Sequence, residues 1–402
     1  MTFEERLEKI RAGMEERGLD LLIAVHDGAH FIEKPNPVMV LSGFKSLGPA
    51  AVVLSRRGGG ALVVVPSWDA ARAAQCCPKL DIVATDLLID GLRPTIDRMS
   101  FALFRPGARA PTIGICGLAA MPWRHAEPMS WLVPSLDQLV ASEPAHERVE
   151  LQLTAVMTQS AAMDAFVFDA ARTKTDQEVA HARAATRIAE LTYERLLEIA
   201  RPGVSEDELA VELRWHSKSL GAEDNFLMLC AGPHNRAVAP SHGRRLQAGD
   251  IIVVEITPSF RGQLAQICRT VVIGAASDTL KEKYALVVRA MEAGFAAARP
   301  GAAMAEVCAA VNGVLEAEGY AEYCHPPHIR RRGHGLGFGS NEPGDVALDN
   351  ATTLEPNMLF MIHPNQYLPE TGYLLCGEPA LITPRGAEPL TARQAALAEV
   401  ML

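Results

Sequence analysis

The sequence predicts a small α/β domain followed by a larger α+β domain. Two observations predict this division: the length, and a change in the pattern along the chain. A chain of 402 residues exceeds what one hydrophobic core normally organises. Short apolar runs alternate with helical stretches in the first part, whereas long amphipathic helices and pairs of β-branched runs fill the rest. The boundary is predicted inside an Ala-rich helix, giving domains 1–165 and 166–402.

The elements of the first domain follow from apolar periodicity. Residues 3–18 have apolar side chains at helical spacing and end at a glycine, which predicts an amphipathic helix. Buried strands are predicted at 21–25, 50–54, 61–65 and 112–116, and the turn sequence Arg-Arg-Gly-Gly-Gly separates the second strand from the third.

In the second domain, Thr175 or Asp176 should cap a long helix that runs to about residue 200. Ser205 should cap the next helix, with Glu208 completing a capping box. The tripeptide Arg-Pro-Gly ends a helix at 201–203 and again at 299–301, each time before another amphipathic helix. This recurrence indicates either two ordinary helix stops or a duplicated unit that folds as two related halves.

Strands are predicted at matching places in both halves. The turn at 259–262 makes a hairpin of the first pair. The predicted strands are 251–256, 266–273, 357–362 and 379–383. Helices outside a curved, mostly antiparallel sheet give an α+β domain.

Composition excludes several classes of protein. The formal net charge is −10 and the longest basic run is Arg330 to Arg332, which argues against a nucleic-acid partner. No apolar run is long enough to span a bilayer, and the acidic N-terminus does not resemble a signal peptide. The eight cysteines form no Cys-x-x-Cys pair, so we expect reduced thiols and a cytoplasmic protein.

Six motifs in the second domain resemble, in order and spacing, those of the creatinase/prolidase/aminopeptidase P superfamily. They are Lys-Thr-Asp-Gln-Glu at 174–178, Ala-Gly-Asp leading into a strand at 248–255, a strand ending in Arg-Thr at 263–270, Gly-His-Gly-Leu-Gly at 333–337, Asn-Glu-Pro at 341–343, and an apolar strand ending in His-Pro at 358–364. The resemblance implies a C-terminal "pita-bread" catalytic domain with pseudo-twofold halves, preceded by a creatinase-type α/β domain. It also implies a homodimer.

Metallopeptidases of this superfamily hold two divalent cations between two aspartates, a histidine and two glutamates. The corresponding positions here are Glu255, Gln266, His334, His363 and Gly377, with Glu378 beside the last. Two dications need several carboxylate oxygens, including a bridging carboxylate. The resemblance therefore predicts a chain that binds no metal and needs no cofactor. Two alternatives stay open: a single transition metal at Glu255, His334 and His363, or histidines that are merely packed.

The residue roles follow from the same positions. His334 and His363 are predicted to be the catalytic acid–base pair, with Glu255 orienting or stabilising one of them. A family histidine that transfers protons falls near Val238, with His234 and His242 on either side, and a second substrate-facing histidine becomes Asn341. The residues predicted to bind substrate are Gln266, Asn341, Glu378, Arg332, His242, Phe44 and Lys45.

The sequence thus predicts a creatinase-like, metal-independent hydrolase. It would cleave a C–N bond in a small amino-acid-like, amidine-like or zwitterionic substrate. Three alternatives stay open: an Xaa-Pro aminopeptidase or dipeptidase with an altered metal site, a lyase that acts by proton abstraction, and a binding protein of the same fold that lacks catalysis.

Overall fold

In this computed structural model, the described part of the chain divides into two compact units. The first unit contains residues 1–30 and 34–171, and the second contains 31–33 and 172–402. The residues described are 1–30, 32, 34–103, 111–121, 159–340 and 343–401. None of the described helices is long and apolar enough to cross a bilayer.

The first unit is built on a mixed five-stranded sheet in the order β4-β3-β2-β1-β5. Strand β1 pairs antiparallel with β2 and parallel with β5. Residues 159–171 are helical. The other elements are α1 (Phe3–Glu16), β1 (Leu21–His26), α2 (Pro37–Ser42), β2 (Ala50–Ser55), β3 (Gly60–Val64), α3 (Ala70–Cys76), β4 (Asp81–Ala84), α4 (Leu88–Leu103) and β5 (Ile113–Cys116).

The second unit has two main sheets, with strand orders β15-β9-β7-β6 and β10-β13-β14, and a ribbon of β11 and β12. A bridge between Cys268 of β9 and Gly377, just before β13, links the two sheets. The elements are α5 (Asp176–Ile199), α6 (Glu206–Ser219), β6 (Asp224–Gly232), β7 (Ile251–Phe260), β8 (Gln263–Leu264), β9 (Ile267–Ile273), α7 (Asp278–Ala297), α8 (Met304–Ala317), β10 (Leu359–Ile362), β11 (Gln366–Leu368), β12 (Gly372–Leu374), β13 (Glu378–Thr383), β14 (Gly386–Pro389) and β15 (Ala398–Val400). The predicted α+β class is confirmed.

The two Arg-Pro-Gly corners have the same backbone bonding, which favours duplication over chance. Gly203 and Gly301 have φ angles of 91° and 89°, in the left-handed region that suits glycine. The Gly203 amide donates to the carbonyl of Leu246, and the Gly301 amide donates to that of Leu354, both at 2.9 Å. Each corner precedes a 14-residue helix, α6 or α8. The unit therefore repeats a helix pair whose corner is bridged by a later segment of the same half.

The repeats differ at the cap of the second helix. The Ser205 hydroxyl accepts from the Glu208 amide, and the predicted capping box is present. Ala303 takes the same place before α8 with similar backbone angles, and its amide donates to Glu306 at 2.8 Å, but it has no side-chain acceptor. Helix α8 therefore has half of a capping box.

Exchanging these caps should move stability in opposite directions. We expect Ser205→Ala to lower the free energy of unfolding by about 1 kcal/mol, because the Glu208 amide loses its acceptor. Ala303→Ser should raise it by up to about 1 kcal/mol by supplying the missing acceptor. Urea unfolding followed by circular dichroism measures both. Loss of stability in both variants would show that the two corners are not equivalent.

Candidate active site

Strand alternation places Glu255 on the face of β7 that packs toward the second half. Ile251 and Val253 of β7 belong to the core shared with α7 and β10, whereas Ile252 and Val254 pack into the core beneath α5 and α6. Glu255 continues the first series, since side chains alternate along a strand. It is also the half-buried position in an otherwise buried stretch of β7.

The second half contributes two histidines, which an antiparallel pairing of β10 with residues 332–336 brings together. The Met361 amide donates to the His334 carbonyl at 2.7 Å, and the His363 amide donates to the Arg332 carbonyl at 2.9 Å. This register brings the rings of His334 and His363 to a centroid distance of 5.2 Å, tilted by 59°. The predicted acid–base pair therefore lies together in the fold.

Both histidines and Glu255 line one cavity of about 390 Å³. That volume lies at the small end of the range for small-molecule sites. Val238 lines it too, at the place expected for the family's proton-transfer histidine. The lining residues are Ile32, Phe226, Val238, Glu255, Gln266, Pro327, His328, Ile329, Arg330, Arg331, His334, His363, Asn365 and Tyr373.

The surroundings of the two imidazoles set their protonation. The Nδ1 atom of His334 lies 2.9 Å from the carbonyl oxygen of Gly335. A carbonyl can only accept, so Nδ1 carries a hydrogen, and in the neutral ring the lone pair is on Nε2. Burial, followed by the charges of His334 and Arg331, lowers the pKa of His363 well below its usual value. His363 is therefore neutral near pH 7, and its buried Nδ1 has no hydrogen-bond partner.

Asn365, which the sequence analysis missed, holds Glu255 and the neighbouring thiol. Its Nδ2 lies 3.4 Å from Glu255 Oε1 and 3.9 Å from Cys268 Sγ, and its Oδ1 accepts from the Cys376 amide at 3.1 Å. Burial, with the Glu255 charge next, raises the pKa of Cys268 well above its usual value. A thiol kept protonated in this way is a poor nucleophile. The sequence feature that could have pointed to Asn365 is its position two residues after His363.

Gln266 and Glu378, both predicted to bind substrate, have different surroundings. Gln266 lines the cavity, and its Oε1 is buried without a hydrogen-bond partner. Glu378 is 1% exposed and forms an ion pair with Arg269 at 2.9 Å. It is not among the described residues that line the cavity. The ion pair explains this, because turning Glu378 inward would leave a buried guanidinium unpaired.

The structure does not bring Arg332 or His242 to the cavity lining. Arg332 is 1% exposed and donates to Asn312 and Gln366. The exposed imidazole of His242 lies 2.8 Å from Glu206. Phe44 and Lys45 belong to the first unit, where Phe44 is buried beneath the Arg72 guanidinium. The predicted substrate contact of Asn341 lies outside the described residues.

Comparison with known proteins assigns the fold to a family. Residues 180–384 match the model of metallopeptidase family M24, which is half of the chain. The chain belongs to this family. The predicted kinship with the creatinase/prolidase/aminopeptidase P superfamily is thereby confirmed, and so is an enzyme class that hydrolyses C–N bonds, since peptidases cleave the peptide C–N bond.

Individual relatives extend the likeness over the whole chain. The chain is 24% identical to an Xaa-Pro dipeptidase of Pyrococcus furiosus over 394 residues, covering 96% of this chain and 98% of the relative. It is 30% identical to the uncharacterized peptidase YqhT of Bacillus subtilis over 222 residues, which span 54% of this chain and 62% of that protein.

A solved structure confirms the predicted pita-bread architecture. The Xaa-Pro dipeptidase from Bacillus anthracis superposes with a TM-score of 0.77, covering 99% of this chain and all of that one. The two chains are 21% identical, so the superposition speaks for the fold alone.

Family membership contradicts the prediction that the protein needs no cofactor. M24 is a metallopeptidase family, and the relative matched along the whole chain is an Xaa-Pro dipeptidase. The comparisons therefore point to a divalent metal. The prediction was wrong because it took the replaced ligands as evidence that the protein binds no cofactor. Those replacements show only that the superfamily's pair of ions lacks its usual ligands.

The donors of this chain do not fit that pair of ions. Glu255 is the one carboxylate among the described cavity-lining residues. Within the described ranges, no three His, Cys, Asp or Glu side chains are grouped so that they could hold an ion. Two dications need more anionic oxygen than one carboxylate provides. A reaction step through a metal pair therefore has no ligand set among the residues that the structure describes.

Gly377 shows how two of the exchanged positions depend on each other. A Cβ at this position would lie 2.6 Å from the His363 Cβ and 2.7 Å from the Met361 Cε. The backbone of residue 377 also pairs with Cys268 in both directions, which fixes its place. With His363 in this place, a side chain at 377 is thus excluded by its close approach to the Cβ and Cα atoms of His363.

We expect Gly377→Ala to lower the free energy of unfolding by about 1–3 kcal/mol, because the added methyl group overlaps His363. Gly313→Ala is the matched control in α8, where a Cβ meets nothing within 4 Å. It should raise stability by roughly 0.5–1 kcal/mol, as expected for glycine inside a helix. Urea denaturation measures both. Unchanged stability in Gly377→Ala would refute the close approach.

Proposed function

We propose that this protein is a peptidase of small substrates that hydrolyses Xaa-Pro dipeptides or closely related short peptides. The observation that carries the proposal is the cavity in which His334, His363 and Glu255 meet, inside the part of the chain that matches the peptidase family. The full-length relative named as an Xaa-Pro dipeptidase supports the substrate class. A cavity of about 390 Å³ suits a dipeptide better than a long polypeptide.

The side chains of the cavity supply acid–base chemistry for this reaction. His334 has its lone pair on Nε2, so it can accept a proton from a water molecule as the water oxygen attacks the scissile carbonyl carbon. The C–N bond then breaks, and the leaving nitrogen takes this proton back from the His334 imidazolium. His363, neutral and 5.2 Å away between ring centroids, orients the substrate or the water beside it by hydrogen bonding. Glu255 stabilises the imidazolium that forms.

A hydrolase of another small C–N compound, of the amidine or creatine type, is the second candidate. The observation that favours it is the exchange of ligand positions at Gln266, His363 and Gly377, which separates this cavity from that of the dipeptidases. An acyclic amidine and a dipeptide differ in the group that is attacked. Assaying hydrolysis of substrates from both classes therefore distinguishes the two candidates. A homodimer in the cytoplasm stays a prediction.

The purified protein should hydrolyse Xaa-Pro dipeptides in preference to matched Xaa-Ala dipeptides. We expect His334→Ala and His363→Ala each to lower kcat/KM by about 100-fold or more, because positioned acid–base groups contribute on that scale. His216→Ala is the control, since His216 lies on α6 and does not line the cavity. Elemental analysis of the same preparation, with assays after chelation and after adding divalent ions, measures the metal requirement.

Retained activity in both histidine variants would contradict the assignment. Product analysis in ¹⁸O-labelled water separates hydrolysis from elimination, since hydrolysis places the label in the product carboxylate. Dipeptide binding without turnover, unchanged by both histidine substitutions, would establish a binding protein in place of an enzyme.

A further inference from the structure

The loop at 325–332 lines a second cavity, of about 220 Å³, in addition to the active-site cavity. Helix α8 contributes Cys308 and Asn312 to the second cavity, and the chain after the loop contributes Leu348 and Asp349. None of these four described residues lines the active-site cavity. A water molecule occupies about 30 Å³ in the liquid, so the second cavity has room for a small ion with a few waters, and a peptide does not fit.

Arg332 lines the second cavity, and one of its nitrogens is left without a hydrogen bond. The side chain is 1% exposed. Its Nε donates to Asn312 Oδ1 at 2.6 Å, and its Nη1 donates to Gln366 Oε1 at 3.0 Å. These two bonds hold the guanidinium in place. The buried Nη2 has no acceptor in the described part of the chain. A buried charged donor in this state gains free energy when an acceptor from outside the chain reaches it.

The neighbouring thiols show which way Nη2 faces. Burial raises the pKa of Cys308 and of Cys324, and in both cases the nearby Arg332 charge acts in the opposite direction. Both thiols line the second cavity. Because Nε and Nη1 are bonded to α8 and to the chain after β10, the remaining nitrogen lies on the side of the thiols and the cavity. The thiols stay protonated near pH 7, so they do not neutralise the guanidinium.

Cationic residues predominate in the rest of the lining. Arg330 and Arg331 contribute to it, whereas Asp349 is the one carboxylate among the described lining residues. Arg331 donates to Asp345 at 2.9 Å, and Asp349 is exposed. An excess of guanidinium over carboxylate in a concave site raises the local concentration of anions.

We propose that the second cavity is a binding site for a small oxyanion of the phosphate type, which accepts a hydrogen bond from Nη2 of Arg332. Guanidinium groups bind phosphate oxygens strongly, and a tetrahedral oxyanion accepts from several directions at once. The bound ion joins the loop at 325–332 to α8. Since the same loop lines the active-site cavity, occupancy of the second site stabilises a wall beside which the substrate binds. The proposal does not depend on which bond the enzyme cleaves.

Calorimetric titration of the full-length protein with inorganic phosphate, at constant ionic strength, tests this site. Leu348 lines the cavity and is 53% exposed, so its replacement leaves the core intact. We expect Leu348→Glu to weaken phosphate binding by about 5-fold or more, because it adds a like charge. Leu348→Gln is the matched control of similar shape without the charge, and should bind phosphate as wild type does. Asp349→Asn should tighten binding by about 3- to 10-fold, because it removes a like charge.

One phosphate bound per chain, with affinities that change in this order, supports the site. Absence of saturable binding by wild type, or equal affinities of Leu348→Glu and Leu348→Gln, would overturn it. His363→Ala shows which cavity holds the ion, because His363 lines only the active-site cavity among the two. Phosphate binding that His363→Ala abolishes and Leu348→Glu leaves unchanged assigns the ion to the active-site cavity, and this also refutes the proposal. Circular dichroism of each variant checks that it is folded.

Discussion

The antiparallel pairing of residues 332–336 with β10 is the constraint on which the site depends. It fixes the register that puts His334 beside His363, and the same backbone carries Arg332, whose buried guanidinium holds Asn365 and Gln366. Asn365 in turn contacts Glu255 from the other half of the unit. The cavity is therefore one connected hydrogen-bonded arrangement, in which a change of register would separate the two imidazoles.

Two of the positions that differ from the superfamily's ligand set constrain each other. His363 lies against Gly377, where even a methyl group would overlap it. Glu378, which directly follows Gly377, forms an ion pair with Arg269. Family membership still points to a divalent metal. The question that this chain poses is thus which donors, if any, replace the ones exchanged.

The sequence sufficed to predict the fold, because helix and strand periodicity and the helix caps follow from local rules. The resemblance of six motifs to the superfamily pointed to Glu255, His334 and His363, and the structure brings these three residues to one cavity. Asn365, the pairing of Glu378 with Arg269 and the burial of Phe44 did not follow from the sequence, because each depends on a neighbour far along the chain. Arg332 was chosen for its charge, yet burial among carbonyl and amide acceptors gives it a structural task.

A crystal structure with bound alanyl-proline, with anomalous data collected to locate any metal ion, would test the central claim most directly. The account predicts a dipeptide in the cavity, with its scissile bond beside His334 and His363. Ligand density outside this cavity, or a dipeptide that contacts neither imidazole, would contradict the account. So would a pair of metal ions seated at Glu255 and His334, because the described donors do not fit such a pair.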